Sequence, residues 1–166
     1  MKLDLDLDKK GYLQIDFTFA AAFFIILFGF VISMYTDYSD SIDDIVIVNE
    51  LQSDAKDLCY ILVNNPGSPD NWYTDVQNSQ NIGLRSLGNN TLDPEKINAL
   101  TTENYFFIID KLNYDNFMYI TIDGIYSNTT YVDFGASTGI TSYSSTYSCH
   151  SVYNEEVVGV VVQTWR

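Results

Sequence analysis

Apolar residues are crowded into one stretch of the chain and patterned elsewhere. From Phe17 to Tyr35, nineteen positions are almost entirely hydrophobic, with Thr18 and Ser33 as the small polar interruptions. At about 1.5 Å of rise per residue, a helix of this length spans roughly 28 Å, close to the hydrocarbon thickness of a bilayer. A core helix of a soluble domain is usually shorter and keeps a polar stripe, which this stretch lacks. The segment predicts a membrane-spanning helix, with a buried core helix as the alternative. Beyond it, Ile45, Val48, Leu51, Ala55, Leu58, Cys59 and Leu62 recur at steps of three and four, while Asp44, Glu50, Asp54, Lys56 and Asp57 fill most of the opposite side. No proline falls between Asp16 and Asn65, and Gly29 is the only glycine there. The pattern predicts a nearly continuous helix of about fifty residues, roughly 75 Å long, half in a membrane and half lying on a domain. A kink is expected in the Ser-, Thr- and Asp-rich stretch 35–44; two helices joined by a turn are the alternative. Pro66-Gly67-Ser68-Pro69-Asp70-Asn71 ends the helix.

The remainder reads as short helices followed by strands. A loop to about Gln80 carries Trp72 and Tyr73, which pin it to the domain. Asp93 as N-cap with Pro94 in the first turn starts a short helix through Leu100. Thr102 caps another, with Tyr105, Phe106, Ile109 and Leu112 expected on its buried side. After Asn113 the period becomes two. Phe117, Tyr119, Thr121 and Asp123 alternate with Met118, Ile120 and Ile122, and Gly124 bounds the run. Residues 130–134 form a second strand candidate and 157–165 the last. Residues 135–151, rich in Ser, Thr and Tyr, read as a loop or an exposed edge hairpin. The expected fold is α+β: a long N-terminal helix, membrane half plus amphipathic half, packed on a small antiparallel sheet. Residues 1–11 form a leader, 12–40 a transmembrane or filament-core helix, and 41–166 an extracellular α+β domain.

The leader, MKLDLDLDKKG, gives this helix a second meaning. An ordinary secretory signal has its apolar stretch before a small-residue cleavage site, and both leave together. No such site follows the helix here. The series Lys9-Lys10-Gly11, then Tyr12-Leu13-Gln14-Ile15-Asp16, then a long apolar run resembles the class III signal peptide of type IV pilins, in particular archaeal ones. The resemblance covers about the first 35 residues. It implies that a prepilin-type signal peptidase cuts after Gly11 on the cytoplasmic side, with Lys9, Lys10, Gly11 and Tyr12 as the processing site. The helix then stays as anchor or filament core. Many archaeal members carry glutamine first and glutamate fifth after the cut, where this chain has Tyr12 and Asp16. A second resemblance, to anchored pilin-like archaeal surface proteins, rests on Leu62 to Pro69, Asn71-Trp72, Ile82-Gly83-Leu84 and Leu92 to Lys96. It adds architecture more than function. Asp16 can be read without either. A carboxylate at the mouth of an apolar helix is costly to bury alone, by roughly 2.5–3.5 kcal/mol at full depth. A free amine on Tyr12 of a neighbouring subunit is a partner of opposite charge for assembly; an inert carboxylate at headgroup level is the alternative.

Charge sets orientation and excludes partners. The chain has 22 acidic and 8 basic residues, a net charge of −14. Nothing in that balance neutralises a row of phosphates, so nucleic acid is excluded as a partner. Lys2, Lys9 and Lys10 precede the helix, placing that end in the cytoplasm and the domain outside. Outside the cytoplasm Cys59 and Cys149 permit one disulfide; two buried free thiols are the alternative. Asn89 and Asn128 head Asn-x-Thr triplets in turn-like stretches, usable glycosylation acceptors on an outward domain.

No catalytic set emerges. The single histidine, His150, is adjacent to Cys149, and adjacent strand residues point to opposite faces. Two cysteines and one histidine are too few for a closed zinc site without carboxylates. Asp37, Asp40, Asp43 and Asp44 have helical spacings that suit a hard cation, but also a solvated boundary beyond a membrane helix. Trp72 and Trp165 suit sugar stacking or core packing. The expectation is no enzyme, metal or cofactor. The chain is expected to be a pilin-like cell-surface protein, anchored in the cell membrane, with other pilin-like subunits as partners. A lone single-pass protein displaying a binding or sensory domain is the alternative.

Overall fold

The computed structural model describes residues 4–136 and 143–166; of residues 4–15 and of Asp40 it describes the backbone alone. Lys2 and residues 137–142 of the expected loop or hairpin therefore lie outside the described residues. Helix α1, Asp4–Asn64, supplies residues to both of two compact units, Met1–Ile45 and Val46–Arg166. Within the first unit the backbone is helical through 35–44, the stretch where a kink was expected. The stretch is therefore not a turn between two helices, and its Thr36 and Ser41 hydroxyls fold back onto the helix. Thr36 Oγ1 bonds the carbonyls of Ile32 and Ser33 at 3.2 and 2.8 Å, and Ser41 Oγ that of Asp37 at 2.9 Å. Such bonds satisfy the hydroxyls inside a helix without ending it.

In the second unit the last turns of α1 pack on a four-stranded antiparallel sheet, as the α+β reading requires. The strands are β1 (Phe117–Gly124), β2 (Thr130–Gly135), β3 (Ser144–Tyr153) and β4 (Glu156–Trp165), in the order β2-β1-β4-β3. Alternation of side chains sends one face of each strand to the helix. Met118, Ile120 and Ile122 of β1 and Val158, Val160 and Val162 of β4 are fully buried, and Ile120 pairs with Val162 and Ile122 with Val160. Against them lie Ala55, Leu58, Cys59 and Leu62, the buried stripe of α1. A buried hydrogen bond from Thr164 Oγ1 to the Leu51 carbonyl, 3.0 Å, ties the end of β4 to the helix. The stripe begins at Leu51. Ile45 and Val48, expected to be buried with it, are exposed: the periodicity runs on past the length of helix that the sheet covers.

Two short helices close the unit. Asp93 caps α2 (Pro94–Asn98) by accepting the Glu95 amide at 2.9 Å, as the Asp-Pro pair predicts. Thr102 opens a 3₁₀ turn, Thr102–Asn104, and α3 follows as Tyr105–Lys111. That entry shifts the buried face: Tyr105 and Ile108 are buried, Ile109 and Leu112 half-buried, and Phe106 is 77 % exposed, against expectation. Residues 144–153 are the edge hairpin rather than the loop. β3 joins β4 through Asn154 and Glu155, both at positive φ, 48° and 65°, the pattern of a two-residue turn matched to strand twist.

The loop between α1 and α2 is tied to the end of the helix. The Leu84 and Arg85 amides donate to the Leu62 and Asn65 carbonyls at 2.7 and 3.2 Å, satisfying acceptors that a helix end leaves open. Gly83 permits this approach, since a Cβ there would stand 2.0 Å from the Asn65 oxygen. Trp72 is buried with its Nε1 donating to the Gly83 carbonyl at 2.9 Å, so it does pin the loop. Buried Lys96 reaches from α2 to Asp70 at 2.5 Å and to the Arg85 carbonyl at 3.0 Å.

Candidate functional site

The apolar stretch of α1 is the most unusual surface of the chain. Among the described residues α1 is the one helix long and apolar enough to cross a membrane. Its large apolar side chains are exposed: Phe23 is 64 % exposed, Phe24 66 % and Ile25 69 %. Ring pairs one turn apart do not change this, and Phe24 and Phe28 stack at 6.1 Å along the helix surface. Removing one such side chain from water is worth about 1.5–3 kcal/mol. A dozen of them facing solvent is far beyond the apolar patch a soluble monomer exposes. By length and composition this surface suits the interior of a bilayer.

Asp16 is exposed at the N-terminal edge of the stretch. Lys9, Lys10, Gly11 and Tyr12 are in helical backbone, and their side chains lie outside the described residues. Beyond the stretch Asp37, Asp43 and Asp44 are exposed, while the side chain of Asp40 lies outside the described residues. Among the described residues no group of three or more His, Cys, Asp or Glu is placed to hold a metal ion.

In the domain the structure joins Cys59 and Cys149 in a disulfide, with Cα atoms 6.2 Å apart. The bridge links α1 to edge strand β3 and leaves neither thiol free to act with His150. Cys149 is buried, and His150, on the other face of the strand, is exposed. Trp165 is buried and stacked on Phe117, so neither tryptophan presents an open face for a sugar. Asn89 and Asn128 are exposed on separate turns, Asn128 at a φ of 50° between β1 and β2.

Two features escape a reading of the sequence. The Glu156 carboxylate accepts the amides of Tyr126 and Ser127 at 3.1 and 2.8 Å and the hydroxyls of Ser127 and Tyr131 at 2.9 and 2.8 Å. The Ser127 amide and the Tyr131 hydroxyl hold its pKa below the ordinary carboxylate range, and the bond from Tyr131 pushes the pKa of that phenol up. The group clamps the turn that carries Asn128. The second feature is a cavity of about 360 Å³ between the end of α1, the 85–90 loop and β3, lined by Arg85 and His150 among others. No local motif marks Arg85; the fold brings it beside a histidine 65 positions later.

Compared with protein-family models, with curated proteins and with solved structures, the chain matches none.

Proposed function

We propose that the chain is a pilin-like cell-surface structural protein. The observation that carries this reading is an apolar helical surface exposed on all sides, with a carboxylate, Asp16, at its mouth and Lys9-Lys10-Gly11 just before it. In this reading a prepilin-type signal peptidase cuts after Gly11, between the basic pair and Tyr12. The helix holds the protein in the cell membrane, its lysine flank in the cytoplasm and its α+β domain outside. The same helix then packs against those of other pilin-like subunits in a surface filament. The domain's role is structural rather than catalytic, with Asn89 and Asn128 as glycan acceptors.

Asp16 gives assembly its register. In a bundle of apolar helices an unpaired carboxylate is unfavourable by roughly 2.5–3.5 kcal/mol, and the Tyr12 amine freed by cleavage offsets this when the two meet. Asp16→Ala is expected to leave membrane insertion intact, because it removes a charge from an apolar segment. It should lower the yield of sheared surface filaments severalfold while the protein accumulates in the membrane fraction. Unchanged filament yield contradicts the pairing role.

A further inference from the structure

The cavity beside β3 has an unusual charge for this molecule. Its polar lining is Arg85, His150, Asn64, Asn90 and Ser151, with no acidic residue, in a chain that has 22 of them. The lysines of the two short helices are matched: Lys96 with Asp70 at 2.5 Å and Lys111 with Asp110 at 3.8 Å. Among the described residues Arg85 has no carboxylate partner. Its Nε is buried and has no hydrogen-bond partner. The cavity is lined by this guanidinium, whose fork of N–H groups matches the oxygen pair of a carboxylate or phosphate.

The walls are held from several directions. Arg85 has its amide on the Asn65 carbonyl and its own carbonyl on buried Lys96. His150 follows the bridged Cys149, and the Val152 carbonyl receives the Leu92 amide at 2.8 Å. A site so fixed loses little freedom when a ligand enters.

We propose that this cavity binds a small organic oxyanion, a carboxylate or phosphate carried on a hydroxyl-bearing frame of monosaccharide size. Arg85 takes the anionic oxygens. The Asn64 and Asn90 amides, the Ser151 hydroxyl and the His150 ring supply both donors and acceptors, the mixture that hydroxyls need. Val63 and Val152 give the apolar sides. The volume lies at the lower end of the range for small-molecule sites, about 300–1,000 Å³. This goes beyond a structural role and does not depend on how the helix is processed.

His150, the single histidine, makes the test direct, because its ring gives one set of NMR signals at the cavity wall. The full chain in uncharged detergent micelles is titrated with glucuronate, inorganic phosphate, glucose 6-phosphate and glucose. Saturable movement of the His150 signals is expected with at least one anion and not with glucose at equal concentration. Glucuronate alone identifies a carboxylate ligand, and the phosphates alone a phosphate ligand. Arg85→Gln is expected to weaken that binding roughly tenfold or more. Asn90→Asp, at an exposed position that leaves packing alone, is expected to weaken it similarly by placing a carboxylate on the rim. The proposal is overturned if no anion gives a saturable shift, if glucose binds as well as the anions, or if Asn90→Asp binds as the unmodified chain does.

Discussion

At the scale of single residues, the strongest local conflict is Glu155. It has a φ of 65° in the β3–β4 turn, a left-handed conformation that an L side chain resists by roughly 1–2 kcal/mol. Glycine accepts it freely but loses more entropy on folding. Glu155→Gly is therefore expected to stabilise the domain by about 0.5–1 kcal/mol in a urea unfolding titration followed by tryptophan fluorescence. Its neighbour Glu156 responds to acid instead. The folded domain depresses the pKa of this carboxylate through the Ser127 amide and the Tyr131 hydroxyl, so its contribution is full above the unfolded value, about 4.3. It is lost as pH falls through the lower folded value. Acidification below about pH 4 should release the 125–129 turn, seen as faster amide exchange at Ser127 relative to the β1 amides. Glu156→Gln, with an unprotonatable amide, should remove that pH dependence. Neither residue stood out in the sequence. Asn-Glu is not the Asn-Gly pair by which such turns are usually known, and the four partners of Glu156 are about thirty positions away.

At the scale of elements, legibility followed how many sides of an element are buried. Interior strands β1 and β4 alternate cleanly because one face meets α1 and the other meets solvent, and both were readable to within a residue. Edge strand β3 has Ser, Thr and Tyr in place of that alternation, so it was equally a loop on paper. In α3 the run Tyr105-Phe106-Phe107-Ile108-Ile109 is apolar throughout, and periodicity cannot set the phase of such a run; the 3₁₀ entry did. The buried face of α1 was legible from Leu51 onward and overread at Ile45 and Val48, since a repeat does not say where its partner begins. What joins helix to edge strand is the Cys59–Cys149 bridge, closing a sequence separation of 90. A loop of that length makes the bridge worth about 2–5 kcal/mol. Replacing both cysteines by serine should lower the domain's unfolding free energy by that amount in the same urea titration. Wild-type protein in reductant should match the double variant, which separates loss of the bridge from poor packing of serine.

For the whole molecule, the two compact units divide the work. The domain buries its own apolar residues in a core of α1, sheet and short helices. The apolar stretch of α1 buries nothing of its own. That difference was visible in the sequence as nineteen nearly unbroken apolar positions, because membrane-grade hydrophobicity is a property of composition and needs no tertiary context. The anion cavity was invisible for the opposite reason, being assembled from the end of α1, the 85–90 loop and β3. The proposed cut falls just before the apolar stretch, between Gly11 and Tyr12. Mass spectrometry of the protein purified from its native membrane or filaments reads it directly. The expected result is an N-terminal peptide beginning at Tyr12, with residues 1–11 gone. A mature chain still beginning at Met1 contradicts it, leaving a single-pass membrane protein that displays its domain without a pilin's processing.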